Sequence, residues 1–255
     1  MKYMNFIFRS IFKTIQDKLS SSFMKDILGT FLNFFVIYRF RAIMNKLRNI
    51  SEAVNFSYSF RYLEVSIEPW QIREELLKLL KILEKFKPKI LVEIGTATGG
   101  TLFLFTRIAD PEAMIISIDL PEGPYGKGYS KWKIHLYKSF IKDKQRIYCI
   151  RANSHESNTL KKIEGILKNL KIDFLFLDGD HTYTGVKSDF DMYSPLVKRG
   201  GIIAFHDIVT HDRFHDPSTT IEIDKFWKGI RDDYENLEII KDEKQGWAGI
   251  GIIYK

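Results

Sequence analysis

The side chains best suited to catalysis follow an apolar run in the second half of the chain. The segment LDGDHTY (177–183) brings Asp178, Asp180 and His181 within four positions of one another. Imidazole takes up and releases protons near neutral pH, and carboxylates act as bases or metal ligands, so this cluster can form the floor of an active site. The same residue types also occur in solvated loops that have no chemical role. The position of the cluster in the fold must decide between these two interpretations.

Short apolar runs, separated by polar stretches of helix length, predict the sheet that carries this cluster. Continuous runs of Ile, Leu, Val and Phe suit strands covered on both faces, and their alternation with helices is typical of a doubly wound, mostly parallel α/β sheet. Near the C-terminus, LEIIKD and WAGIGIIYK predict a closing antiparallel hairpin, which gives seven strands in all. The five central runs are KILVEIG (89–95), MIISIDL (114–120), RIYCI (146–150), DFLFLDG (173–179) and GIIAFHD (201–207).

Composition separates a basic, helical N-terminal segment, residues 1–65, from the sheet domain at residues 66–255. The chain has 39 Lys and Arg against 32 Asp and Glu. Residues 1–50 hold nine of these basic and two of these acidic side chains, so the whole net charge of +7 lies there. The longest uncharged run in this segment, Ile27 to Tyr38, has twelve residues, whereas a helix needs about 20 to span a bilayer.

Two interpretations of the N-terminal segment stay open. Its amphipathic helices can pack on the main domain or on a second copy of the chain, or they can contact an anionic membrane surface through residues 1–50. No recognisable nucleic-acid-binding module accompanies the positive charge, so we expect no nucleic-acid partner. The single cysteine, Cys149, leaves no intramolecular disulfide and fits a reducing environment. We therefore expect a cytoplasmic protein that can associate with a membrane.

Two of the central runs end in residues typical of a nucleoside pocket. In VEIGTATGG, Gly95 and Gly99 allow a tight turn whose backbone N–H groups face a bound ligand. The fingerprint G-x-G-x-x-G is absent, and Glu93 precedes the turn, where a carboxylate favours a cationic ligand over a pyrophosphate. Asp119 ends the next run, where an acid accepts hydrogen bonds from ribose hydroxyls. These features indicate a nucleoside-like ligand that is not held through phosphates.

As an ordered set, these motifs resemble those of the class I S-adenosylmethionine-dependent methyltransferases. The segments VEIGTATGG, SIDLP, RANSHES and DFLFLDGDHTY through GGIIAFHD carry the resemblance, over about residues 66–255. They are most similar to the metal-dependent O-methyltransferases related to catechol and antibiotic-sugar methyltransferases, including cephalosporin-hydroxylase-like proteins. The resemblance implies a Rossmann-like fold and methyl transfer from S-adenosylmethionine to a hydroxyl of a small-molecule, sugar or glycolipid acceptor.

The resemblance also implies the residues that bind a divalent metal ion, Mg²⁺ or Mn²⁺, and the cofactor. In such enzymes the metal ligands lie at the ends of the fourth and fifth strands, which here indicates Asp178 and Asp207, with His206 as the third ligand. A histidine ligand shifts the preference from magnesium towards manganese, iron or zinc. The implied cofactor-binding residues are Glu93, Gly95, Thr96 and Gly99 at the methionine end, Asp119 at the ribose, and Asn153 or Ser154 along the adenine.

Methyl transfer to a hydroxyl also needs a base. A bound divalent ion lowers the pKa of the hydroxyl and aligns it with the methyl group, and the proton must then be taken up. Asp180 and His181 both qualify, and His181 is favoured because its ordinary pKa lies near neutral pH. Strand alternation turns His206 and Asp207 to opposite faces unless the strand ends there. Ala97 stands where family members often have a glycine, which predicts a modest change in the turn.

Two functions of other classes fit the same residues. A metal-dependent hydrolase or oxygenase built from the His- and Asp-bearing strand ends would act without S-adenosylmethionine. A non-catalytic module that keeps the cofactor fold would retain its biological activity when Asp178 and His181 are changed to alanine. Binding of S-adenosylmethionine and metal-dependent turnover therefore distinguish the three hypotheses.

Overall fold

A computed structural model of the chain describes residues 22–121, 123 and 128–255. These residues form eight α-helices, two short 3₁₀ turns and nine strands. In chain order the helices and strands are α1 (Ser22–Met44), α2 (Ile50–Ser59), β1 (Arg61–Tyr62), β2 (Val65–Ser66), α3 (Arg73–Phe86), β3 (Ile90–Ile94), α4 (Gly100–Ile108), β4 (Met114–Asp119), α5 (Lys133–Lys138), β5 (Arg146–Arg151), α6 (Ser157–Leu167), β6 (Ile172–Leu177), α7 (Tyr183–Tyr193), β7 (Val197–His206), α8 (Ile223–Ile230), β8 (Glu235–Ile239) and β9 (Ile250–Tyr254).

Seven strands form one sheet in the order β5-β4-β3-β6-β7-β9-β8. The first five are parallel, and β9 runs antiparallel to both β7 and β8. The predicted doubly wound sheet with a closing hairpin is thereby confirmed. The chain moves outward from β3 to β5 and then returns to place β6 on the other side of β3. Ligands of open α/β sheets bind at this reversal, beyond the carboxyl ends of the strands, so β3 and β6 locate the site.

The apolar runs form strands because both faces of the sheet are covered. Strands β3, β4 and β6 are buried at every position. Successive side chains point to opposite faces, so Leu91 and Phe174 join one hydrophobic cluster, while Val92 and Leu175 join the other. Helices α3 and α4 cover the first face, and α6, α7 and α8 cover the second. This packing holds the strand ends that carry the polar side chains.

Helices α1 and α2 belong to the first of these two clusters. In α1 the buried side chains Leu32, Val36 and Phe40 recur at helical spacing. The ring of Phe40 lies 5.3 Å from that of Phe103 in α4 and 4.9 Å from that of Phe140, measured between centroids. Residues 29–60 of the basic segment thus pack on the main domain, and residues 1–21 lie outside the described part. None of the described helices is long and apolar enough to cross a bilayer.

Candidate active site

The turn between β3 and α4 lies directly against the end of β6. Gly95 has φ +88°, and a Cβ atom at this position would lie 1.8 Å from the carbonyl oxygen of Asp178. The N–H of Asp178 donates to the carbonyl of Ile94 at 2.9 Å, which continues the parallel pairing beyond the strands. Only glycine combines this conformation with so close an approach. The predicted cofactor turn and the predicted metal site therefore share one backbone contact.

Asp119, at the end of β4, organises the same turn. Its Oδ2 atom accepts hydrogen bonds from the N–H groups of Thr96 at 3.1 Å and Ala97 at 2.7 Å. Burial raises the pKa of the Asp119 carboxyl, and these backbone donors oppose the rise. Ala97 has φ +45°, and its carbonyl accepts from the hydroxyl of Tyr137 at 2.8 Å. The turn thus adopts a left-handed conformation at Ala97, and hydrogen bonds to its N–H and to its carbonyl stabilise this conformation.

Ala97→Gly should raise the free energy of unfolding by about 0.5–1 kcal/mol. A left-handed conformation costs a non-glycine residue about 1–2 kcal/mol, and glycine removes this cost. Its removal outweighs the stability lost because glycine has greater conformational entropy in the unfolded chain. Urea denaturation of both proteins measures the difference. Ala42→Gly in the exposed, regular part of α1 is the control and should cost about 1 kcal/mol. Equal losses for the two variants would contradict a strained Ala97.

Glu93 lies beneath the turn. Only 1% of the residue is exposed, and the hydroxyl of Thr96 donates to its Oε2 at 2.7 Å. Burial raises the pKa of Glu93 to about 8, with the nearby Asp178 and Asp119 adding to the rise and hydrogen bonds from threonine hydroxyls opposing it. Glu93 is not among the residues that line the cavity. Its carboxyl therefore acts on the turn through Thr96.

Glu93→Gln should flatten the pH dependence of stability between pH 4.5 and about 8. The folded pKa lies above the unfolded value, so the folded chain holds one more proton than the unfolded chain in this window. The free energy of unfolding therefore falls as pH rises through the window, by a few kcal/mol (~1.4 per pH unit), and glutamine removes this loss. Urea unfolding at several pH values measures the slope. Exposed Glu164→Gln should keep the wild-type slope, and an unchanged slope in Glu93→Gln would contradict the prediction.

The end of β7 brings His206 and Asp207 to the same place. The strand ends at His206, and Asp207 has φ +63°, which turns its side chain back towards the histidine. Nδ1 of His206 lies 3.1 Å from Oδ1 of Asp178 and 3.2 Å from Oδ1 of Asp207. Burial lowers the pKa of His206, but Asp207 and Asp178 outweigh it and raise the pKa well above its usual range.

Asp207 is buried among three imidazole rings. Its carboxylate lies 3.0 Å from Nδ1 of His181, 3.2 Å from Nδ1 of His206 and 3.1 Å from Nε2 of His211. Burial raises the pKa of Asp207, but His206, together with hydrogen bonds from His181 and His211, holds it well below its usual range. For His181, burial lowers the pKa, while Asp207 and Asp178 produce a net rise. The cluster is thus a tightly paired set of acids and imidazoles.

A group with metal-ligand geometry lies within this cluster, but its third member differs from the predicted one. One ligand atom each of Asp178, His181 and Asp207 lies within 4.8 Å of the other two. The predicted third ligand, His206, instead places Nδ1 between the two carboxylates. The predicted base His181 therefore stands where a third metal ligand is expected. Two carboxylates and one imidazole are donors that suit a divalent cation.

Asp180, the other predicted base, is tied to the start of α7. Its Oδ1 atom accepts from the N–H of Thr182 at 3.0 Å and from the Thr182 hydroxyl at 2.8 Å. Thr182 in turn caps α7 by accepting from the N–H of Gly185 at 3.0 Å. Asp180 also lines the cavity, so its carboxylate faces both the helix cap and the site.

The cavity beyond the strand ends has a volume of about 260 Å³. Five of the predicted cofactor residues line it, whereas Glu93 and Gly99 do not. Gly99 has φ +88°, and a Cβ there would lie 2.4 Å from the Tyr137 ring, so its role is in the turn. The five lining residues are Gly95, Thr96, Asp119, Asn153 and Ser154.

Several residues of the site were not among the predicted catalytic, cofactor or metal residues. Nε2 of Gln71 donates to Oδ2 of Asp178 at 2.6 Å across 107 positions of sequence, a separation for which no local pattern gives a signal. His211 lines the cavity and contacts Asp207. Its position only four residues after Asp207 could have indicated this contact from the sequence. Trp70 and Trp247 also line the cavity. The sequence around these two tryptophans carries no recognisable motif.

Comparison with known proteins agrees with this geometry. Residues 92–208 match the model of a family described as a methyltransferase domain. An uncharacterized protein of Acanthamoeba polyphaga mimivirus is 31% identical over 120 residues, which cover 46% of this chain and 50% of that protein. A probable caffeoyl-CoA O-methyltransferase of Dictyostelium discoideum is 23% identical over 141 residues, covering 55% of this chain and 57% of that protein. The chain thus spans little more than half the length of these curated relatives.

The fold is shared with a solved O-methyltransferase from Bacillus cereus in complex with SAH. That structure has a TM-score of 0.53 at 13% sequence identity, and the match covers 82% of this chain and 92% of that one. Its likeness identifies the Rossmann-like arrangement of seven strands. Residues 92–208 therefore resemble a methyltransferase domain, and the seven-stranded sheet has the Rossmann-like fold of the solved O-methyltransferase.

Proposed function

We propose that the chain transfers a methyl group from S-adenosylmethionine to a hydroxyl of a small-molecule, sugar or glycolipid acceptor, assisted by a divalent cation. The main support for this proposal is the charge of the cavity. The described residues that line it include no Lys or Arg, and its four carboxylates outnumber the three histidines of raised pKa. A cavity with this charge favours a cationic sulfonium over a ligand that bears phosphates. Its four carboxylates are Asp119, Asp178, Asp180 and Asp207.

The cofactor would lie across the ends of β3, β4 and β5. Asp119 places a carboxylate at the end of β4, where ribose hydroxyls are bound in related folds. Thr96 and Ala97 supply the backbone of the turn, which Asp119 already orders. Asn153 and Ser154 follow β5 and line the wall assigned to adenine. A turn ordered before binding limits the entropy lost when the ligand binds.

The residues for the divalent cation are Asp178, His181 and Asp207. When bound, such a cation lowers the pKa of an acceptor hydroxyl. Nε2 of Gln71 and Nδ1 of His206 contact the Asp178 carboxylate at 2.6 and 3.1 Å and orient it towards the site. The imidazole among the ligands favours manganese, iron or zinc over magnesium.

During transfer, the acceptor oxygen bonds to the methyl carbon while the carbon–sulfur bond breaks, and the acceptor proton passes to a base. With His181 in the ligand group, Asp180 is the remaining predicted base at the cavity wall.

Assigning the base to Asp180 and the metal contact to His181 predicts different effects for substitutions of these two residues. Asp180→Asn should lower kcat about 100-fold with metal affinity unchanged, whereas His181→Gln should lower metal affinity. Single-turnover kinetics and metal titration measure these effects. Loss of metal affinity in Asp180→Asn and loss of kcat alone in His181→Gln would identify His181 as the base.

Calorimetry with S-adenosylmethionine and S-adenosylhomocysteine, with and without Mn²⁺ or Mg²⁺, tests the function. We expect both compounds to bind, and methyl transfer to a hydroxyl acceptor to require the cation. Absence of binding to the folded protein would remove the proposal. Metal-dependent turnover without S-adenosylmethionine would favour a hydrolase or oxygenase instead. Cofactor binding without any transfer would favour a non-catalytic module.

A further inference from the structure

One side of α1 faces away from the domain and carries aromatic rings. Phe34 is 72% and Tyr38 73% exposed, and Phe35 is 40% exposed beside Phe34. Phe34 and Tyr38 are one helical turn apart, so their rings form a continuous patch. The opposite side of the same helix is buried in the core, which fixes the orientation of this patch. Three large rings exposed together on one helix mark an interaction surface.

Basic side chains continue this surface towards the C-terminal end of α1. Arg39 and Arg41 are exposed, and they follow Phe35 and Tyr38 by one turn. Residues 27–51 contain four Lys or Arg and no Asp or Glu. We define the outer face of α1 as Phe34, Phe35, Tyr38, Arg39 and Arg41. It has an aromatic half followed by a positively charged half.

We propose that the outer face of α1 docks on an anionic lipid surface. The ring of Tyr38, apolar with a polar hydroxyl, favours the boundary between headgroups and acyl chains, and Phe34 and Phe35 supply apolar area that inserts there. Arg side chains attract anionic headgroups. The combination on one exposed helix face is typical of helices that lie in the membrane plane. This docking does not depend on the proposed methyl transfer.

The charge pattern argues against a second copy of the chain as the occupant. A two-fold interface through this face would place Arg39 and Arg41 of both copies, four like charges, within one small patch. The absence of acids from residues 27–51 leaves no neighbouring carboxylate on this stretch to offset the repulsion. A surface rich in anionic groups pairs with the same face without this cost.

The outer face is anchored to the folded domain. Nδ2 of Asn33, on the buried side of α1, donates to the carbonyl of Trp132 at 2.6 Å. Gly29 lies against the same tryptophan, whose ring atoms would be 2.7 Å from a Cβ at position 29. Trp132 directly precedes α5. Docking through α1 therefore orients the whole domain on the lipid surface.

Vesicle binding by the full chain tests this proposal. We expect cosedimentation with phosphatidylcholine vesicles that contain about one third phosphatidylserine, weakened by added salt, and at least about tenfold less binding to phosphatidylcholine alone. Arg39→Glu/Arg41→Glu and Phe34→Ser/Tyr38→Ser should each reduce binding about tenfold or more. Lys161→Glu/Lys162→Glu on exposed positions of α6 is the matched control and should bind within about twofold of wild type. Circular dichroism should show the same fold in all four proteins.

Four results would overturn the proposal. Equal binding to neutral and anionic vesicles would remove the electrostatic contribution. Equal loss in the α6 control would show a general charge effect. Dimerisation that Phe34→Ser/Tyr38→Ser abolishes, or tighter binding of a single-stranded oligonucleotide than of anionic vesicles at the same salt, would assign the face to a second copy or to nucleic acid. None of these measurements depends on S-adenosylmethionine, so failure here leaves the proposed function standing.

Discussion

Gly95→Ala should abolish S-adenosylmethionine binding and lower the free energy of unfolding by more than about 3 kcal/mol. The new methyl group would lie 1.8 Å from the carbonyl oxygen and 2.4 Å from the carbonyl carbon of Asp178. These are backbone atoms of a central strand end and cannot move like a flexible side chain. The alanine would also occupy φ +88°, where L-residues are strained. Relief of the clash must separate the cofactor turn from the end of β6.

Urea denaturation and calorimetry with S-adenosylhomocysteine measure the two effects of Gly95→Ala. Gly165→Ala is the matched control, because Gly165 lies in α6 and a Cβ there would have no atom within 4 Å. This control should gain about 0.5–1 kcal/mol and bind the cofactor normally. Near-normal stability and binding in Gly95→Ala would show that the contact between turn and strand end is adaptable.

Asp178→Asn should lower methyl transfer at least about 100-fold and weaken metal binding, with S-adenosylmethionine binding retained. Asparagine keeps the size of the side chain but removes one of the two negative charges of the ligand group. The imidazole of His206, 3.1 Å from Asp178 and 3.2 Å from Asp207, would then be paired by Asp207 alone. Loss of charge at this position therefore affects both the cation and the arrangement of the histidines.

Metal titration and turnover with saturating S-adenosylmethionine measure the effect of Asp178→Asn. The control is Asp191→Asn on the exposed side of α7, where the carboxylate pairs with Lys187. Exposed pairs of this kind contribute about 0–1 kcal/mol, so activity should stay near wild type. Normal metal affinity in Asp178→Asn would remove this residue from the ligand group.

Much of the site was predictable because strand ends of a parallel sheet meet at one edge. Asp119, Asp178 and Asp207 each follow an apolar run, and all three line the cavity. The glycine-rich turn and the acid after β4 were likewise recognisable from their order. The roles within the cluster were less accessible. Sequence placed His206 among the ligands and His181 as the base, and the structure brings both imidazoles beside the two carboxylates, with His181 in the group that has metal-ligand geometry.

The sequence by itself determined the sheet, its direction, its covered faces and the edge at which the polar residues collect. These features follow from local patterns, since strand alternation and apolar runs involve only neighbouring residues. Tertiary structure decided which side chains converge. The left-handed backbone at Asp207 brings that side chain beside His206, and Gln71 reaches Asp178 across 107 positions. Glu93 faces the turn beneath the cavity and not the cavity itself. Such contacts depend on single dihedral angles and on the packing of distant segments, which no local periodicity encodes.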